Sequence, residues 1–215
     1  SRRLPAPAPT AAQPRVSRAF LTLAKAAALH SDPHRFALLY RLLWRLQGKP
    51  GLLEDAADAD VRRLNDLSRT VRRDIHKMRA FVRFRAVSAG GDKRFVAWFE
   101  PDHLIVRVNA PFFVRRFASM TWSILTPDLC VHWDGDRLDE TPGITERPDM
   151  GADPVEALWT RYYASTFNPA RLKVDTMVRE MPRRYWKNLP EAAQIADLIA
   201  GAQRREDEMV ARPHG

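Results

Sequence analysis

Hydrophobic positions change period along the chain. From residue 60 to about 80, Val61, Leu64, Leu67, Val71, Ile75 and Met78 recur at spacings of three and four. That spacing predicts a helix with one apolar stripe. Beyond it the period falls to two. Val82, Phe84 and Ala86 alternate with Arg83, Arg85 and Val87; Phe95, Ala97 and Phe99 follow Gly90-Gly91; Leu104, Val106 and Val108 follow Pro101. Alternation of this kind predicts an antiparallel meander of about three strands. A short helix is expected around 112–118. Strand-like runs at 122–125 and 129–133 flank Thr126-Pro127-Asp128, and Asp134-Gly135 is a further turn signal.

Helix starts are marked on both sides of this middle. Ser17 is placed to cap a helix reaching about His30. Asp32-Pro33 sets a capping carboxylate before a proline suited to the first helical position, and Asp153-Pro154 and Asn168-Pro169 repeat the device. Asp55, Asp58 and Asp60 stand at or before the start of the long helix, where the helix dipole favours negative charge. The class that follows is α+β, with helices at both ends around a small central antiparallel β-sheet. Residues 1–15, with Pro5, Pro7, Pro9 and Pro14 among alanines, read as a Pro/Ala-rich linker. Residues 16–202 read as one α+β domain, and 203–215 as a polar tail or a linker to a following domain.

Composition narrows the function classes. No run of about 18 apolar residues occurs, so no membrane span and no membrane partner are expected. The longest apolar stretch, from Phe36 to Leu46, is broken by Arg41 and Arg45. The single cysteine, Cys130, rules out a disulfide framework or a Cys-rich metal site built by this sequence and points to a buried thiol in the reducing cytoplasm. Net charge is +9, unevenly spread: residues 128–156 hold nine acidic side chains against Arg137 and Arg147, a local −7 that leaves +16 elsewhere. A strongly basic body with one acidic segment suits a polyanion on one face and solvent or a partner on another.

Three clusters carry candidate chemistry. On the long helix, Arg62, Arg69, Arg72, Arg73 and His76 fall in one sector of about 100°, with no acidic residue among them. Guanidiniums in a column can follow phosphates, since each offers a planar fork of donors. His76 among them can donate to a phosphate or accept a proton. The second cluster is the capped start Asn168-Pro169, where free backbone N–H groups bind anions. Arg171 and Lys173 lie against the dipole there, a conflict that a bound anion would relieve. In the third, Arg183, Arg184, Tyr185 and Trp186 interleave cations and rings between Met181-Pro182 and Pro190, the pattern of a base-stacking surface. A looser set, His103 and His132 with Glu100, Asp102 and Asp134, has no helical ligand pair, so no metal and no cofactor are expected. No Gly-rich phosphate loop, dinucleotide fingerprint or nucleophile elbow is present.

Seven stretches together resemble a known family: DPHRFALLYR (32–41), RRDIHKM (72–78), VAWFEPDH (96–103), FFVRRF (112–117), WSILTP (122–127), YYASTFNPARLK (162–173) and MPRRYWKNLPE (181–191). Across roughly residues 16–200 the chain is similar to a bacterial DNA-metabolism family of unknown function. That family occurs beside a radical SAM enzyme assigned to DNA repair, and fused ahead of UdgX-type uracil-DNA glycosylases. The resemblance implies a setting in DNA repair and carries over no catalytic residue. It implies DNA as partner, with a fused or separate uracil-DNA glycosylase or radical SAM repair enzyme, and a cytoplasmic protein associated with the nucleoid when bound. Glycosylase activity would belong to a following domain. The expected function is therefore a DNA-binding accessory domain that positions DNA for such an enzyme. The alternatives are an enzyme on DNA or a DNA adduct, with His76, His103, Glu100 or Asp134 as acid or base, and a protein-interaction domain docking through the acidic segment.

Overall fold

Hydrophobic stripes on three helices meet in the first half of the chain, and a sheet follows. The computed structural model describes residues 14–89 and 92–148. Their element order is α1 (Arg18–Ala27), α2 (Arg35–Gly48), a 3-10 turn (Pro50–Glu54), α3 (Ala59–Phe81), β1 (Arg85–Ala89), β2 (Asp92–Trp98), α4 (Val106–Arg116), β3 (Trp122–Leu125), β4 (Leu129–Trp133) and β5 (Leu138–Pro142). The described residues pack as two units. One runs up to Lys77 and includes Pro101–Ile105; the other comprises Met78–Glu100 and the chain from Val106. The expected helix starts at Asp153-Pro154 and Asn168-Pro169 lie outside the described residues, as does the Gly90-Gly91 turn.

In the first unit the core is Phe20 and Ala27 of α1, Leu38, Leu42 and Leu46 of α2, Leu52, and Val61, Leu64 and Leu67 of α3. The three α2 leucines recur every fourth residue and so share one side of that helix. Burying each contributes about 1.5–3 kcal/mol. Ser17 caps α1 as its position predicts, its Oγ accepting from the Phe20 N–H at 3.1 Å. α3 matches the periodic stretch almost to the residue. Its cap is Asp58, whose Oδ1 accepts from the N–H groups of Asp60 and Val61.

Asp32-Pro33 does not place α2 as expected. The helix starts two residues later, at Arg35, with His34 at its cap position. The Asp32 carboxylate instead accepts from the His34 N–H at 2.8 Å and pairs with Arg63 of α3. A turn therefore precedes the helix, because a tertiary ion pair holds the side chain that would have capped it.

The second unit holds a five-stranded sheet in the order β1-β2-β3-β4-β5. The α+β class stands, but the sheet is mixed. β2 and β3 run parallel, Phe95 opposite Trp122, while the other pairs are antiparallel. Parallel neighbours need a crossover of a dozen or more residues, and α4 lies on that connection and packs on β4. This overturns the strand expected at Leu104, Val106 and Val108. Leu104 and Val108 are 45% and 43% exposed, whereas Ile105, Val106, Asn109, Ala110 and Phe113 are buried. The last four follow a helical period; the alternation lay partly on the surface.

β3 and β4 coincide with the runs read from sequence, and β5 is an addition. Gly135, at φ 108°, forms the β4–β5 turn, with Asp134 Oδ1 accepting from the N–H groups of Asp136 and Arg137. β5 closes one edge of the sheet with exposed Asp139, Glu140 and Pro142, residues that discourage edge-to-edge pairing. Cys130 is buried, its Sγ 3.6 Å from the Thr126 carbonyl.

Candidate nucleic-acid interface

The stripe that buries α3 fixes what its other side shows. Val61, Leu64, Leu67, Ser68, Val71 and Asp74 are buried, so Arg62, Arg69, Arg72, Arg73 and His76 are turned outward, and all five are exposed. The predicted column is therefore present on one continuous helix face. Its electrostatics differ from the expectation in one respect. Asp66 stands at the edge of the face and pairs with Arg69 at 2.6 Å, an i,i+3 contact with both partners more than half exposed. Arg72 donates to the Ser68 hydroxyl at 2.8 Å and has no ion-pair partner among the described residues. Among the described residues, the Arg62, Arg73 and His76 side chains have no hydrogen-bond or ion-pair partner.

The surroundings concentrate that charge. The described part of the first unit carries 13 Lys and Arg against eight Asp and Glu, a net +5. Five of its acids already hold a cation: Asp32 with Arg63, Asp55 with Lys49, Asp58 with Arg45, Asp60 with Arg41 and Arg45, and Asp66 with Arg69. The Arg45 guanidinium holds the Asp58 carboxyl down at about 2, helped by the Val61 and Asp60 N–H groups. Arg41 lowers Asp60, and Arg63 lowers Asp32. These carboxylates stay charged and stay engaged, so the outward arginines of α3 face solvent with Asp66 as the acid beside them.

Asp74, which follows Arg72 and Arg73 in the chain, points the other way. It is 3% exposed, and its Oδ2 accepts from the N–H groups of Asp102 and His103 at 2.9 and 3.0 Å. That fixes the Pro101–Ile105 segment. The His103 ring then packs against His30, tilted by 34°, at 4.1 Å between centroids. His103 Nδ1 faces the Ser31 Oγ at 3.1 Å and accepts from the Ser31 N–H, while His30 Nδ1 accepts from the Asp32 N–H at 2.8 Å. Both Nδ1 atoms are acceptors, which fixes both rings in the Nε2-protonated neutral form. Burial, followed by the neighbouring His103, lowers the His30 pKa. Sequence missed this cluster because its members are 72 residues apart; Ser31 and His30 carried no local signal.

Three members of the looser His and acid set, Glu100, His132 and Asp134, belong to the second unit. His132 belongs to the sheet, where its ring nitrogens meet Ser123 Oγ of β3 and Thr141 Oγ1 of β5, both at 2.9 Å. Burial, then Arg94, lowers its pKa. Asp134 is engaged in its turn, and Glu100 accepts from the Trp98 indole N–H at 2.8 Å. Among the described residues no group of three His, Cys, Asp or Glu side chains is arranged to hold a metal ion. Among them, too, no helix is long and apolar enough to cross a membrane. Asn168, Arg171, Lys173, Arg183, Arg184, Tyr185 and Trp186 lie outside the described residues.

Comparison with protein families gives a match over most of the chain. The model of a domain of unknown function, DUF4130, covers residues 33–191. No curated protein and no solved structure matches the chain.

Proposed function

We propose that this chain, which belongs to the DUF4130 family, is a nucleic-acid-binding accessory domain acting on DNA in repair. The observation that carries the reading is the outward face of α3. Arg62, Arg69, Arg72 and Arg73 stand along one helix side, exposed, and among the described residues Asp66 is the acid paired at its edge. A phosphate backbone would supply counter-charge that the described residues leave out there, and planar guanidiniums offer it paired donors. The DNA-repair setting and a glycosylase or radical SAM partner come from the sequence resemblance and belong to the proposal. Under it the domain holds DNA and its partner does the chemistry.

Counterion release gives the test. Each phosphate neutralised contributes about 0.9 to the slope of log affinity against log salt. Replacing Arg62, Arg69 and Arg73 with Ala should flatten the slope for a short duplex by about two to three, measured by fluorescence anisotropy. An unchanged slope would remove this face from the interface.

A further inference from the structure

α2 presents a second outward feature that its role in the core does not use. Phe36, Tyr40 and Trp44 follow one another at four-residue intervals on one side of the helix, and they are 57%, 69% and 73% exposed. The leucines of the same helix all turn inward: Leu38, Leu42 and Leu46 are buried, and Leu39 and Leu43 pack against the core. The segregation is by residue type. Three rings stand in water while five leucines do not.

We infer that this aromatic row is a stacking platform for the bases of single-stranded or locally opened DNA. The inference rests on the nucleic-acid reading above and adds the form of the ligand and a second contact surface. Four residues of α-helix advance about 6 Å, close to twice the roughly 3.4 Å step of stacked bases. One base therefore fits between neighbouring rings. Every base offers a π-face, so a row of rings takes a strand without regard to its sequence.

Charge favours the same occupant. α2 carries Arg35, Arg41 and Arg45 and no acidic residue; Arg41 and Arg45 are paired with Asp58 and Asp60, and Arg35 is the cation beside the rings. The Arg35 guanidinium sits 4.4 Å over the Phe36 ring and is pinned there by hydrogen bonds to the Ala28 and Asp32 carbonyls. A fixed cation thus stands at the start of the row. Arg41 and Arg63, 55% and 56% exposed, tie α2 and the turn before it to α3 through Asp60 and Asp32. A docking helix from another protein would instead call for aliphatic anchors at three- and four-residue spacing in a groove. The outward side of α2 offers no Leu, Ile or Val.

The test uses the 215-residue chain, a fluorescein-labelled oligothymidine of about 20 nucleotides, and a hairpin duplex of similar charge. Phe36→Ala, Tyr40→Ala and Trp44→Ala are made singly and together, with Trp44→Phe as the conservative variant. Each lost ring should weaken oligothymidine binding about five-fold or more, duplex binding should hold, and Trp44→Phe should retain most of the affinity. Unchanged melting curves for the variants would confirm that only the surface was altered. If wild type binds DNA and the triple variant binds the oligothymidine equally well, the platform is overturned and the α3 reading survives. If wild type binds neither probe, both fall. If the triple variant alters sedimentation of the free protein but not DNA affinity, the row is a self-association surface and the inference is overturned.

Discussion

The two units treat aromatic side chains in opposite ways. In the sheet unit, Phe84, Phe113, Phe117 and Trp122 form one cluster, with centroid separations of 5.1–6.5 Å and mostly edge-on or tilted rings. Trp122 and Phe113 are fully buried. In the helical unit, Phe36, Tyr40 and Trp44 lie apart along one helix and face water. Rings that touch one another add packing energy to the area they bury. Rings that stand apart and exposed contribute little to folding, so the first set holds the fold while the second is available to a ligand. The acids do not divide in this way: most in the helical unit are engaged at helix starts or with arginines, and in the sheet unit Asp139 and Glu140, though exposed on the edge strand β5, pair with Arg137 and Arg107.

Stability measurements can break this contrast. Trp122→Ala should cost about 3–5 kcal/mol in urea unfolding, since it empties a fully buried site. A loss below about 1 kcal/mol would show that the sheet cluster does not hold the second unit. Asp74→Ala should cost about 2–3 kcal/mol, because the Asp102 and His103 N–H groups lose their acceptor. Asp74→Asn, which keeps an acceptor oxygen, should recover part of that.

Acidification should act through the histidines. Burial lowers His132 and His30 from their ordinary 6.5. The folded state therefore prefers the neutral rings, and their contribution is present above 6.5 and is lost as pH falls through the lowered folded values. Melting temperature should drop between about pH 7.5 and pH 5.5, and less so in His132→Gln. An equal drop in both proteins would remove His132 from the account. Smallest of all, Trp44→Ala should change stability by no more than about 0.5 kcal/mol. A loss approaching that of Trp122→Ala would erase the distinction between the two aromatic sets.

Local physics made part of this legible in the sequence. A long apolar stripe can be satisfied in only one way, so α3 was readable to within a residue or so at each end, and its outward arginines came with it. Ser17 capped where it stood, and β3, β4 and the Asp134-Gly135 turn followed from alternation and turn chemistry. Tertiary packing decided what local patterns left open. Leu104, Val106 and Val108 alternate like a strand, yet α4 forms there because a parallel β2–β3 pair needs a crossover. Asp66 limits a face that looked free of acid, and Asp74 turns inward to anchor a segment 28 residues away. Within the Phe36–Leu46 run, broken by Arg41 and Arg45, only the packed core separated the leucines from the rings. The sequence by itself determined which residues would form the basic helix and which period each segment would follow, because those depend on near neighbours. The sheet's parallel pair, the His30–His103 contact and the exposure of the aromatic row were decided by the tertiary structure alone, because each depends on what a distant segment covers.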